Sequence, residues 1–236
     1  MNEGGEISRI KAEYGRRDSD SRLANLYERL NPAVIYIRHE IERHIALFFN
    51  RKNIRAADLN SACLLDIGSG GGAFFNMFSQ MGFAPFNMYG AELIFERLSS
   101  RGPGPQPGRI INADASRLPF RDSSFDFVSQ FTVFSSVIDP RARAEIASEM
   151  RRVAKNGGYV ISYDMVHTNP FNKNLAPLKP RQLKELFGAP PETSYSVVLN
   201  PLVLRRLVNH FRLLCDVISS FKILNSFNLS FIRVEK

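Results

Sequence analysis

Residues 63–73 read Cys-Leu-Leu-Asp-Ile-Gly-Ser-Gly-Gly-Gly-Ala, and no other stretch restricts the fold as strongly. An apolar run carrying one acid, Asp66, stops in a glycine turn from Gly68 to Gly72. Apolar residues at helical spacing follow, Ala73, Phe74, Met77, Phe78 and Met81. That order predicts a strand over 63–67, a tight turn, and a helix over 72–81. In an open α/β sheet a ligand sits outside the carboxyl end of such a strand. Glycines permit positive φ and close backbone approach, and the helix start offers free N–H groups and partial positive charge.

The turn alone does not name the ligand, because Gly68-Ser69-Gly70-Gly71-Gly72-Ala73 also satisfies a dinucleotide pattern. The remaining chain narrows the choice. Strands are predicted at 86–91, 109–112, 125–131 and 159–163. A helix follows Glu92 through about Ser100, and another runs from Pro140 to Lys155, ended by Asn156-Gly157-Gly158. This alternation indicates an α/β fold with a parallel, doubly wound sheet and right-handed crossovers. Residues 101–108 and 164–180 read as loops. A helix at 180–187, a strand at 195–199, a helix at 201–218 and a closing strand at 228–234 complete the pattern.

Ahead of this unit, residues 1–22 are polar and read as a mobile or loosely docked arm, with Tyr14, Arg16 and Arg17 able to close over a site. Residues 33–49 place Val34, Ile37, Ile41, Ile45 and Phe48 on one helical face, and Asn31-Pro32 suits the start of that helix. This helix is expected to pack on the main domain and to roof its pocket. Residues 53–61 read as a linker. The expected division is an arm and helical cap at 1–60 and a ligand-binding domain at 61–236.

Polar groups stand at the carboxyl ends of four strands in turn: Asp66 with the glycine turn, Glu92, Asp114-Ala115 and Gln130. At this point the chain resembles the class I S-adenosylmethionine-dependent methyltransferases of the small-molecule type. The matching stretches are Leu64 to Gly72, Gly90-Ala91-Glu92, Asn112 to Ala115 with Leu118-Pro119-Phe120, Ser124 to Val128, and Arg152 to Gly158. Asn156 departs from the family, which usually has proline there. The resemblance implies a doubly wound, mostly parallel, seven-stranded Rossmann-like sheet with an N-terminal helical cap. It also implies S-adenosylmethionine as cofactor, with S-adenosylhomocysteine as product. Gly68, Ser69, Gly70 and Gly72 would lie along its methionine portion, with Asp66 near the ammonium. Glu92 would accept from both ribose hydroxyls, Asp114 and the Ala115 N–H would read the adenine edge, and Gln130 would line the pocket near the sulfonium. Asp126 reads as structural. The dinucleotide alternative keeps Glu92 but leaves Asp114-Ala115 unexplained, and no tyrosine has lysine four residues later.

The acceptor is read as a small or carrier-linked molecule, methylated at oxygen by in-line displacement, which needs alignment and exclusion of water above all. For a hydroxyl acceptor, His167 or Asp164 after the fifth strand is the candidate base. Tyr163-Asp164 with Asn169-Pro170-Phe171-Asn172 resembles a bacterial subgroup tied to surface polysaccharides and secondary metabolites. No Asn-Pro-Pro-Tyr or similar motif follows strand four, which speaks against methylation of the amino groups of bases or glutamine.

The net charge of +8 comes mostly from residues 171–236, with ten Lys/Arg against four Asp/Glu. That surplus motivates two alternatives, an RNA methyltransferase and contact with an anionic membrane surface. No RNA-binding module or interleaving of aromatic and basic residues accompanies it, so nucleic acid is not the favoured partner. Residues 201–218 could lie on a membrane, but a helix packed between strands is the reading preferred. A third alternative is a protein that binds the cofactor without turnover. His39 and His44 are wrongly spaced for a metal site, and none is expected. Two cysteines, no apolar span and no signal pattern point to a reduced, cytoplasmic protein. Nothing in the sequence specifies an oligomeric state.

Overall fold

The computed structural model describes residues 3–26, 28–98, 107–168, 172–222 and 224–236. Helices α1 (Glu3–Ser19), α2 (Ser21–Leu26), α3 (Pro32–Arg51) and the single turn α4 (Ala56–Leu59) lead into a seven-stranded sheet. The core follows as β1 (Leu64–Ile67), α5 (Phe75–Met81), β2 (Met88–Glu92), α6 (Phe95–Leu98) and β3 (Arg109–Asn112). Next come β4 (Phe125–Phe131), α7 (Val133–Ser136), α8 (Pro140–Val153) and β5 (Ala154–Met165). Last are α9 (Pro180–Phe187), β6 (Thr193–Leu199), α10 (Pro201–Leu207), α11 (Arg212–Ser220) and β7 (Asn225–Arg233). The strand order is β3-β2-β1-β4-β5-β7-β6. Five strands run parallel, and β7 lies antiparallel between β5 and β6. This is the doubly wound, Rossmann-like arrangement.

Strand β1 sits in the middle of the parallel region, covered on both faces, so it reads as an apolar run rather than an alternation. Its register carries the functional consequence. Ile67 stands opposite Ala91 of β2 and Gln130 of β4, and Glu92 opposite Asn112 of β3. The strands therefore end together on one edge. One face of the sheet packs α3 and α5 through Phe48, Phe49, Phe78 and Phe83, with Phe48 stacked on Phe231 at 3.8 Å. The other packs α8 and α9 through Ile146, Met150, Leu183 and Phe187.

Helix starts follow local chemistry. Asn31 and Asp139 each accept a hydrogen bond from the backbone two residues on, with Pro32 and Pro140 in the first turn. Three expectations are corrected. Asn156-Gly157-Gly158 does not cap α8, which ends at Val153; it lies inside β5. A side chain at Gly158 would meet the Asp126 carbonyl at 2.7 Å, so glycine is required by the close approach of β4, where the register shifts. The helix expected over 201–218 is broken into α10 and α11 at Asn209-His210, both weak helix formers. The linker at 53–61 contains α4. Of the loop expected at 101–108, residues 101–106 lie outside the described residues, as do 169–171 of the second loop.

The N-terminal arm is a docked helix. Glu6, buried, accepts from the Arg9 guanidinium and from the Ile138 N–H at 2.7 Å. Glu13, also buried, accepts from Arg16, from Asn172 at 3.0 Å and from Asn174 at 2.7 Å. These bonds hold its carboxyl down at about 2, the Arg16 hydrogen bond being the largest cause. A carboxylate held below its unfolded value stabilises docking above that value, near 4.5, and loses this contribution as the pH falls towards 2. Glu13→Gln is expected to cost about 1–3 kcal/mol of docking. Limited proteolysis of α1 at neutral pH should accelerate accordingly, and an unchanged cleavage rate would show that the helix is held by its apolar face alone.

Candidate functional site

A cavity of about 630 Å³ opens at the carboxyl ends of β1, β2 and β4. Its floor is the glycine turn, and α1 lies over it with Ile7, Ile10, Tyr14 and Arg17. The turn depends on backbone that side chains resist. Gly68 and Gly70 have φ of +66° and +54°. A Cβ on Gly68 would also stand 2.5 Å from Val133 Cγ2. The Gly68 N–H donates to the Ala91 carbonyl at 2.8 Å, which ties the turn to β2.

Glu92 is buried, and both its oxygens are anchored: the Gly70 N–H donates to Oε2 at 2.8 Å and the Ile94 N–H to Oε1 at 2.9 Å. A carboxylate oxygen has two acceptor sites, so each retains one for a ligand donor. Asp66 is 1% exposed and accepts from the Ser129 hydroxyl at 2.8 Å. No lysine or arginine among the described residues pairs with it. Burial, with a smaller push from Glu92, raises its carboxyl to about 7. Asp114 accepts from the Ser116 N–H at 2.9 Å, and Ala115 lies beside it in the cavity wall. The Ser69 hydroxyl is buried in the wall without a hydrogen-bond partner among the described residues.

The structure thus brings Asp66, Gly68, Ser69, Gly70, Glu92, Asp114 and Ala115 to one cavity. Gly72 is not in its lining; it packs on Phe75 and Ile110. Gln130 and Asp164 stand behind the wall. The Gln130 amide donates to Ser162 Oγ at 2.7 Å and to Asp164 Oδ2 at 2.5 Å, and its carbonyl accepts from the Val133 N–H at 2.8 Å. Asp164 Oδ1 accepts from the Ser135 N–H at 2.9 Å, and burial raises this carboxyl to about 6. Together they brace the turn at Thr132, which has a φ of +62°. His167 is exposed and does not line the cavity.

Other wall residues were not anticipated. Phe131 and Phe74 stack at 3.8 Å, and the Arg97 guanidinium lies 4.5 Å from the centre of the Tyr14 ring. From α3, Arg38 alone among the described residues reaches the cavity, joined by Arg29 of the preceding segment. Arg38 has no carboxylate partner among the described residues. Burial, and then the like charge of Arg29, lowers its affinity for a proton. No histidine, lysine or cysteine lines the cavity among the described residues. No group of three or more His, Cys, Asp or Glu among them could hold a metal ion, and no helix among the described residues is long and apolar enough to cross a membrane.

The model of a family described as a methyltransferase domain matches residues 65–162. An uncharacterised methyltransferase of Mycobacterium tuberculosis is 34% identical over 110 residues, 46% of this chain and 41% of the relative. The match thus spans less than half of that relative's length. A sterol 4-C-methyltransferase of Caenorhabditis elegans is 35% identical over 66 residues, 28% of this chain and 19% of its own. Among solved structures, Burkholderia thailandensis 1,6-didemethyltoxoflavin-N1-methyltransferase, with bound 1,6-didemethyltoxoflavin and S-adenosylhomocysteine, is similar with a TM-score of 0.64 at 14% identity. That match covers 100% of this chain and 92% of the other. A protein of Pyrococcus horikoshii gives 0.56 at 16% identity, over 84% and 91%. At these identities the likeness is one of fold, the Rossmann-like methyltransferase fold.

Proposed function

We propose that this chain, through the methyltransferase domain at 65–162, binds S-adenosylmethionine in the cavity and transfers its methyl group to a small or carrier-linked acceptor. The carrying observation is the pair of buried carboxylates on either side of the glycine turn. Asp66 lacks a cation, and Glu92 is pinned with spare acceptor sites. A ligand with an ammonium at one end and a vicinal diol further along satisfies both. Asp114 and the Ala115 N–H then face the adenine edge, and the Ser69 hydroxyl gains a partner. A bound sulfonium donor supplies an already activated methyl group. The residues here have to bind, align and exclude water. Phe74, Phe131 and the apolar face of α1 do the last.

We keep oxygen as the acceptor atom, and the wall constrains its kind. The lining among the described residues offers carboxylates such as Asp139 and Glu145, but with no histidine or lysine there, and Asp164 engaged behind Gln130, a stronger nitrogen base is not at hand. The acceptor best suited is an acidic hydroxyl, such as a phenol or enol, that loses its proton without one. Arg29 and Arg38 offer charge to an acidic group on the acceptor or to the carboxylate of the cofactor.

Calorimetric titration tests the first half of the reading. S-adenosylhomocysteine should bind one-to-one and NAD should not. Absence of nucleoside binding, or a preference for NAD, would overturn it. Labelled donor offered to phenolic acceptors and to RNA separates the favoured acceptor class from the nucleic-acid alternative.

A further inference from the structure

Helix α11 buries a single side chain, Cys215. Along another face Leu213 is 80% exposed, Val217 54% and Phe221, just past the helix end, 69%. Their spacing of four places them in one row. Phe211, Leu214 and Leu224 are exposed beside them. Apolar side chains exposed in a row, rather than singly, mark an interaction surface. The charges around them share one sign. Between residues 201 and 224 stand Arg205, Arg206, Arg212 and Lys222, against Asp216 alone. Asp216 accepts the Tyr36 hydroxyl at 2.8 Å. Arg206, Arg212 and Lys222 are exposed.

We propose that α10 and α11 form a docking surface for an anionic membrane. Leu213, Val217 and Phe221 enter the boundary between headgroups and acyl chains, while Arg206, Arg212 and Lys222 meet the phosphates. Charge selects this occupant. A second copy packed face to face would bring the same cations against themselves, whereas anionic lipid neutralises them. The surface also adjoins the ligand cavity. Leu30, 80% exposed, shares a shallow cleft with Arg205 and Asn209, and its neighbour Arg29 lines the cavity. An acceptor carried in the bilayer would be presented beside that cavity; this last point rests on the methyl-transfer reading, but the docking surface does not.

The test is sedimentation of the full chain with vesicles of phosphatidylglycerol and phosphatidylcholine, compared with phosphatidylcholine alone. Binding is expected for the anionic vesicles only, weakening as salt shortens the screening length to ~3 Å near ~1 M. Charge reversal by Arg212→Glu with Lys222→Glu should lower partitioning at least ~20-fold. Leu213→Ser with Phe221→Ser should lower it comparably. None of these residues lines the cavity, so S-adenosylhomocysteine affinity should stay as in the parent, which also reports correct folding. Equal binding to neutral vesicles, indifference to charge reversal, or no vesicle binding would overturn the proposal. Self-association abolished by the Leu213/Phe221 pair would assign the face to a second copy instead. Vesicle binding without nucleoside binding would sink the methyl-transfer reading and leave the docking surface standing.

Discussion

Glu92→Ala is expected to reduce affinity for S-adenosylhomocysteine by two orders of magnitude or more. The carboxylate is proposed to take two hydroxyl donors, and hydrogen bonds to a charged group contribute about 1.5–3 kcal/mol each. Their joint loss is therefore roughly 3–6 kcal/mol, and about 1.4 kcal/mol is a factor of ten in affinity. The variant also strips the Gly70 and Ile94 N–H groups of their acceptor. The glycine turn then loses its side-chain tie to the end of β2 and keeps only the backbone one from Gly68 to Ala91, so stability should fall by about 1–3 kcal/mol as well. Glu92→Gln separates the two effects. It keeps one acceptor oxygen, for either the Gly70 or the Ile94 N–H, and turns its NH2 on the other, so it should recover part of the lost stability while still binding weakly. Calorimetry on the three proteins decides: parent-like affinity in Glu92→Ala would remove the diol from the account of this cavity.

Asp66→Asn should move affinity and stability in opposite directions. Truncating one partner of a buried charge pair costs about 2–5 kcal/mol of binding, so the variant should bind roughly 30-fold or more weakly. Without ligand the same change relieves a buried charge that has no cation. The sign follows from the raised carboxyl. A group whose folded value, about 7, stands above its unfolded 3.8 stabilises the fold below 3.8 and loses that contribution as the pH rises through 7. At pH 8 the unliganded variant should therefore melt higher than the parent, by on the order of 1–2 kcal/mol or roughly 2–8 °C. The parent's affinity should also drop about tenfold per pH unit below 7, because the ammonium needs the ionised carboxylate. A flat pH profile combined with parent-like binding by Asp66→Asn would place the ammonium elsewhere.

What could be read from the chain divides along a physical line. Strands buried on both faces are continuous apolar runs, and a polar residue at the end of such a run is a local signal. Hence β1, β2, β4 and β5, with Asp66 and Glu92, were legible in the sequence, whereas β3, an edge strand with exposed ends, was marked only by the Ile110-Ile111 pair and the Asp114-Ala115 that follows. Side-chain direction was not. Gln130 and Asp164 occupy strand ends like the others, yet they turn towards each other and brace Thr132. Arginine on the polar face of a helix reads the same whether it meets water or a cavity, so Arg38 gave no sign of its place. Asn156-Gly157-Gly158 looks like a helix terminator, because the close approach of Asp126 that demands Gly158 is set by a partner strand. The break at Asn209-His210 escaped for a related reason: the apolar spacing runs on through it, and only packing shows that Leu213 and Phe211 stay outside.

The placement of α1 shapes what kinetics can reveal. Its Ile7, Ile10, Tyr14 and Arg17 are masonry of the chamber, held there mainly by side-chain bonds from Glu6, Arg9 and Glu13. The chamber is whole only while that helix is seated, so guests come and go on the helix's schedule. Were the proposed methyl transfer faster than the unseating of α1, a turnover number at saturation would clock that wall rather than the chemistry, as in many enzymes with a moving cover.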